Sequence, residues 1–180
     1  IIGTSTMPIA QWHKANAFAN MTLALYNFRL AFYILNYLKH NYEISYSDFF
    51  EYLLKESKDS EKFSVLNKTI KAIYDCQQSI LDEISSLVSL PFTKNVLFEP
   101  NESALLILLN EVDTFYNELW ILINNYLTTK DINVDQAVLK EIFKYQVALT
   151  PTWNKSSQST VTFELNIPQY FHALCTGDND

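Results

Sequence analysis

Apolar residues recur along this chain at spacings of three and four, and that periodicity predicts five helices. The first spans residues 8–40, with Ser5 or Thr6 as its cap and Pro8 in its first turn. The second, 46–56, follows the cap signals Ser45 and Ser47 and carries Phe49, Phe50, Leu53 and Leu54. A polar run, SKDSE, separates it from the third, 61–88, which has the cleanest stripe: Phe63, Leu66, Ile70, Ile73, Gln77, Ile80, Ile84 and Leu87. The fourth begins after Asn101 and runs to 127. The fifth follows Asp131 or Asn133 and ends near Leu149. All five prolines (Pro8, Pro91, Pro100, Pro151 and Pro168) fall at the borders of these segments, as residues excluded from helix interiors should.

After the fifth helix the period changes. In STVTFELN, Val161, Phe163 and Leu165 alternate with Thr160, Thr162, Glu164 and Asn166, a strand signal, and PQYFHAL then reads as one or two helical turns. A lone strand cannot satisfy its own backbone, so it needs a partner edge. Residues 95–98 (NVLF), within the irregular connector SLPFTKNVLFEPN, are one candidate, and a segment outside this chain is the other. The expected fold is mainly α: an irregular bundle of about five helices with one short C-terminal β-strand. Residues 1–150 form the bundle, and 151–180 form an extension that docks on it or on an absent upstream domain.

Composition narrows the function. The chain has 180 residues, 48% of them hydrophobic, and a formal net charge of −7, which disfavours nucleic acid and anionic membrane surfaces as partners. Its two glycines, Gly3 and Gly177, sit at the ends, so no glycine-rich loop exists to cradle a phosphate. Cys76 and Cys175 stand alone, without the spacing of a zinc or iron–sulfur site, and read as free thiols in a reducing cytoplasm. The opening IIGTSTM and the closing CTGDND read as the ends of a piece cut from a longer protein.

Candidate chemistry is sparse. His13, His40 and His172 are far apart, and neither Glu-x-x-His nor HExxH occurs, so each reads as a surface or interface residue. Glu111, Asp113 and Glu118 do not share a helical face and read as solvated. The stretch MTLALYNFRLAFYILNYLKH stands out because its one charge before Lys39 is Arg29, the chain's single arginine. It is too short for a membrane span and is interrupted by a cation that is costly at mid-bilayer. Tyr26, Arg29 and Tyr33, at i, i+3 and i+7, form a polar stripe near Asn27 and Asn36 and are the candidate substrate-pocket residues. The alternative is that Arg29 pairs with a carboxylate of the fourth helix or reaches solvent along its aliphatic stem.

The order of these features resembles the C-terminal region of cobalamin-binding-domain radical SAM proteins. The residues carrying the resemblance are GTSTMPIAQWHKANAFANM, ISYSDFFEYLL, NESALLILLNEVDTFYNEL, EIFKYQVALTP and FELNIPQYF, colinear over nearly the whole chain. The resemblance implies a parent enzyme with a [4Fe–4S] cluster, S-adenosylmethionine and cobalamin, for which methyl transfer is one candidate chemistry. Neither Cys-x-x-x-Cys-x-x-Cys nor Asp-x-His-x-x-Gly occurs here, so no cofactor-binding, metal or catalytic residue carries over to this chain. It implies instead an accessory domain packing on the upstream radical SAM and B12-binding domains and lining the substrate side. The competing expectation is a non-enzymatic helical interaction module. A free-standing small-ligand binder lacks a visible convergent polar set.

Overall fold

A computed structural model describes residues 7–94, 96–152 and 160–177. The cap candidates Ser5 and Thr6 lie outside these, as do Asn95 and Ser159 of the two strand candidates. Among the described residues there are eight α-helices: α1 (Ile9–Thr22), α2 (Phe32–Tyr42), α3 (Tyr46–Glu56), α4 (Ser64–Leu81), α5 (Pro100–Asn110), α6 (Val112–Thr129), α7 (Gln136–Leu149) and α8 (Ile167–Thr176). A two-stranded antiparallel hairpin, β1 (Val88–Ser89) with β2 (Leu97–Phe98), sits between α4 and α5. Mainly α is therefore correct, and about five helices is an undercount. No helix among the described residues is long and apolar enough to cross a membrane.

Two of the extra helices come from breaks within predicted ones. The first predicted helix stops being α at Leu23, passes through a π turn (Leu23–Asn27) and resumes as α2 only at Phe32. The buried positions explain the break. Ala17, Met21, Ala24 and Leu25 face the core, so an unbroken helix would next bury Phe28 and Arg29. The break shifts the stripe: Leu30 and Ala31 go inside, while Phe28 and Arg29 are exposed. Arg29 adopts φ 63 to make this turn. Left-handed backbone costs a side-chain-bearing residue about 1–2 kcal/mol, less than an unpaired guanidinium would cost inside.

The break frees backbone groups that must find partners, and α7 and α6 supply them. Gln146, buried on α7, donates Nε2–H to the Arg29 carbonyl at 2.6 Å and accepts from the Tyr33 amide at 3.0 Å. The Tyr116 hydroxyl donates to the Leu30 carbonyl at 2.9 Å, while Thr150, its other partner, donates to the Gln146 carbonyl at 2.9 Å. Burial pushes the Tyr116 phenol up to about 12, against the opposing pull of Thr150 and Gln146, so it remains a proton donor throughout the neutral range.

The fourth predicted helix also divides, at Glu111, into α5 and α6, and its cap is not Asn101. Glu99 caps α5 in a reciprocal box with Glu102, and Pro100 occupies the first turn. The third ends early. Leu81 is the last residue of α4, Glu83 turns left-handed at φ 56, and Ile84, expected in the stripe, is 77% exposed. The lost stretch, DEISS, has too little helix propensity to continue once packing ends.

Helix α4 begins after Phe63, which cannot cap it, and Glu118 of α6 does so from across the core. Its carboxylate, 5% exposed, accepts from Ser64 Oγ and from the Val65 and Leu66 amides, each at 2.9 Å. The solvated reading of Glu118 is therefore overturned: a helix N-terminus offers an inward-facing carboxylate both donors and a favourable dipole. The polar break in the α4 stripe, Gln77, is fully buried and pins α4 to α1. Its Oε1 accepts from His13 Nδ1, and its Nε2 donates to the His13 carbonyl at 3.2 Å and to Asn16 Oδ1 at 2.8 Å.

The predicted C-terminal strand is not one. Residues 160–166 form no strand and bend at Glu164 and Leu165, and the NVLF candidate contributes β2 to the hairpin with β1 instead. Side chains of α7 satisfy this strap: the Glu164 amide donates to Glu141 Oε2 at 2.7 Å, and Lys144 Nζ donates to the Thr162 carbonyl. Phe163 lies against Tyr145, with the Lys144 ammonium 5.2 Å from its ring. Helix α8 follows, capped by Asn166, and stacks Phe171 on Tyr145 at 5.5 Å.

Replacing Gln146 by Met keeps the volume but leaves the Arg29 carbonyl and Tyr33 amide without partners. At about 1–3 kcal/mol for each buried unpaired group, the expected loss is about 2–4 kcal/mol, read as a lower urea midpoint at unchanged m value. The strap carries a pH dependence. Partial desolvation raises the Glu141 carboxyl, but the Glu164 amide and Lys144 outweigh it and hold it below the usual carboxylate range. Its contribution is thus present above that range and is lost as pH falls through the lowered value. Exchange of the Glu164 amide should accelerate, relative to the α7 amides, only once the pH falls below the usual carboxylate range. Glu141→Gln should abolish that step.

Candidate functional site

The structure separates the three residues predicted to share a face. The premise of a single helix fails at the break, since Arg29 lies in the turn between the π segment and α2. Tyr26 packs on Phe32 and Tyr46, at ring-centroid distances of 5.1 and 5.2 Å. Tyr33 faces Tyr145 and Phe171, at 4.9 and 4.8 Å. The Arg29 guanidinium is exposed, 5.4 Å from the Phe32 ring, and among the described residues no carboxylate pairs with it. The core ion pair is therefore not formed: the backbone turn has moved the cation outside. Its carbonyl, not its guanidinium, makes the contact that holds the fold together.

A broad concavity forms where α5 breaks into α6. It measures about 830 Å³ and is walled by Phe92 and Phe98 of the hairpin region, Leu106 and Leu109 of α5, Val112 of α6 and Val147 of α7. Glu111 and Asp113 give it an acidic edge, and Lys68 of α4 clamps Glu111 at 2.5 Å. Phe92, in its wall, is exposed. Periodicity did not reveal this groove, because it depends on a helix break at a residue with no breaking propensity. The connector SLPFTKNVLFEPN was the available signal, with five large apolar residues (Leu90, Phe92, Val96, Leu97 and Phe98) in a segment too short to bury them all.

The remaining candidates are dispersed. His13 is half-buried against Gln77, whereas His40 and His172 are exposed. Cys76 is buried and Cys175 exposed, both free, and burial pushes the Cys76 thiol up, away from its reactive thiolate. Among the described residues no three His, Cys, Asp or Glu side chains are placed to hold a metal ion. Two thiols do not make the three-thiolate set of a radical SAM cluster, so that group does not fit this chain's own residues.

In comparison with known protein families and with curated proteins, the chain matches none.

If the left-handed turn serves only to carry Arg29 outward, glycine should serve it better. Arg29→Gly removes about 1–2 kcal/mol of backbone strain and returns part of that as unfolded-state entropy. The expected outcome is a stability gain of about 0.5–1 kcal/mol in urea unfolding. Arg29→Met, which keeps the strain, should be neutral.

Proposed function

We propose that this chain is a helical docking domain. On this reading the groove at the α5–α6 break receives the catalytic part of a radical SAM, cobalamin-binding enzyme that lies upstream in the same protein. The observation carrying the docking role is the apolar groove itself, with exposed Phe92 in its wall. Large side chains clustered around a concavity are a usual mark of a protein–protein surface. The colinear resemblance supports the choice of partner, and the domain contributes shape to the substrate side rather than reacting groups. [4Fe–4S], S-adenosylmethionine and cobalamin are all held by the partner. A general helical interaction module would use the same groove with an unrelated protein.

Two measurements separate these readings. The reading frame preceding residue 1 should encode Cys-x-x-x-Cys-x-x-Cys, and the whole protein, reconstituted anaerobically, should gain iron–sulfur absorbance. Without that motif, the radical SAM partner is refuted while the docking role stands. With the upstream part expressed separately, Phe92→Asp should weaken its association with this domain by about tenfold or more, the loss of a central apolar contact. The thermal midpoint should change little, because the Phe92 side chain is exposed. Unchanged association would remove the groove from the docking role.

A further inference from the structure

A second concavity, sharing no lining residue with the groove, opens between α1, α3, α4 and α6 and measures about 540 Å³. Four of the chain's 13 lysine and arginine residues line it: Lys14, Lys55, Lys58 and Lys130. In a chain with net charge −7 this is a local reversal of sign, offset in part by Asp48 and Glu51 at the same edge and by Glu56, which pairs with Lys55 at 3.3 Å. We propose that this concavity binds an organic phosphate of about mononucleotide size.

The floor of the site supplies the second part of the argument. Tyr126 is 2% exposed, held edge-on by Phe49 at 5.5 Å and by Tyr52 at 5.1 Å. It lines the concavity, and its hydroxyl meets no hydrogen-bond partner among the described residues. The ring is buried while the hydroxyl opens to the concavity, so it is free to donate to whatever occupies the site. Burial, helped by Asp48 at Tyr126 and by Glu56 at Tyr52, pushes both phenols up, so each remains a neutral donor at physiological pH.

The lysines are available to a phosphate. Lys14 pairs with Glu51 at 3.2 Å, and Lys130 with Asp48 at 3.8 Å, but all four side chains are more than half exposed or nearly so. Exposed pairs of this kind are worth little, so a dianion competes for both ammonium groups. Lys58 has no carboxylate partner among the described residues. The volume exceeds what a bare phosphate needs and lies within the range of small-ligand pockets. The rings of Tyr52 and Tyr74 in its wall offer a flat group a surface to lie on.

The test is calorimetric titration of the protein with AMP and, separately, with inorganic phosphate. AMP should bind saturably, one per chain, and about tenfold more tightly than phosphate, the margin of one stacked ring. Lys58→Glu combined with Lys130→Glu should remove binding, and Tyr126→Phe should weaken it several-fold. Lys140→Glu, on the exposed side of α7, should leave it unchanged. The two lysine changes are at the surface, so they remain informative even if Tyr126→Phe fails to fold. Absence of saturable AMP binding at millimolar concentration overturns the proposal. So does a Lys140→Glu effect equal to that of the double variant, which would mean generic charge attraction. Phosphate binding as tightly as AMP overturns the organic class of the ligand. None of these outcomes depends on the docking role of the groove.

Discussion

One side-chain amide holds together the part of the chain on which the rest is arranged. Gln146 bridges the carbonyl of Arg29 and the amide of Tyr33, two backbone groups stranded on either side of a helix break. Without it, α1 and α2 would have to meet as one continuous helix, and such a helix would carry Arg29 into the apolar core. With it, the chain turns through a π segment and one left-handed residue, and the two halves present different faces. Helix α2 then packs on α7, and α1 on α3, α4 and α5. The bundle is irregular because its first helix is two helices aimed differently.

The same device recurs twice: a buried polar side chain from one helix completes the hydrogen bonds of another. Glu118 caps α4 from α6, and Gln77 ties α4 to His13 and Asn16 of α1. Apolar packing alone tolerates sliding by a turn, since one aliphatic residue fills another's place at modest cost. A carboxylate that must meet the first amides of a helix allows no such shift. The three contacts therefore set register, and α4, which two of them touch, fixes Lys68 where it clamps Glu111 at the groove. The position of the groove thus follows from the polar contacts of the core.

Much of this was legible in the sequence, and part of what was not has a common cause. The boundaries of α3 (Tyr46–Glu56) follow from Ser45 as cap, and α7 (Gln136–Leu149) ends where the apolar period places it, although its cap is Asp135 rather than Asp131 or Asn133. Phe63, Leu66, Ile70, Ile73 and Gln77 do share a buried stripe. The failures are at 28–31, at Glu111, at 82–88 and at 160–166. At 28–31 and at 160–166, local pattern was overruled by a partner distant in sequence: Gln146 is 117 residues from Arg29, and Glu141 is 23 from Glu164. The strap shows this plainly. Val161 and Phe163 are half-buried as the alternation implies while Leu165 is exposed, and α7 side chains serve the strap's backbone in place of a strand. Of the candidate pocket residues, Arg29 was correctly singled out as anomalous, but the anomaly resides in its backbone.

The two surfaces offered for binding lie at opposite ends of one element. Helix α6 begins at the groove with Val112 and ends at the lysine-lined concavity with Tyr126 and Lys130. Its 18 residues separate the two by about 27 Å at 1.5 Å per residue. A rigid helix spanning two sites invites the idea of a lever, but α6 is fastened between them. Tyr116 holds the Leu30 carbonyl, and Glu118 holds the start of α4. Sliding α6 would break both, leaving a buried carboxylate and a buried phenol unpaired, at several kcal/mol. That exceeds the 1–3 kcal/mol by which sites are usually coupled. Occupancy of one surface is therefore mechanically isolated from the other, and the contacts that make the core unique also keep its two faces independent.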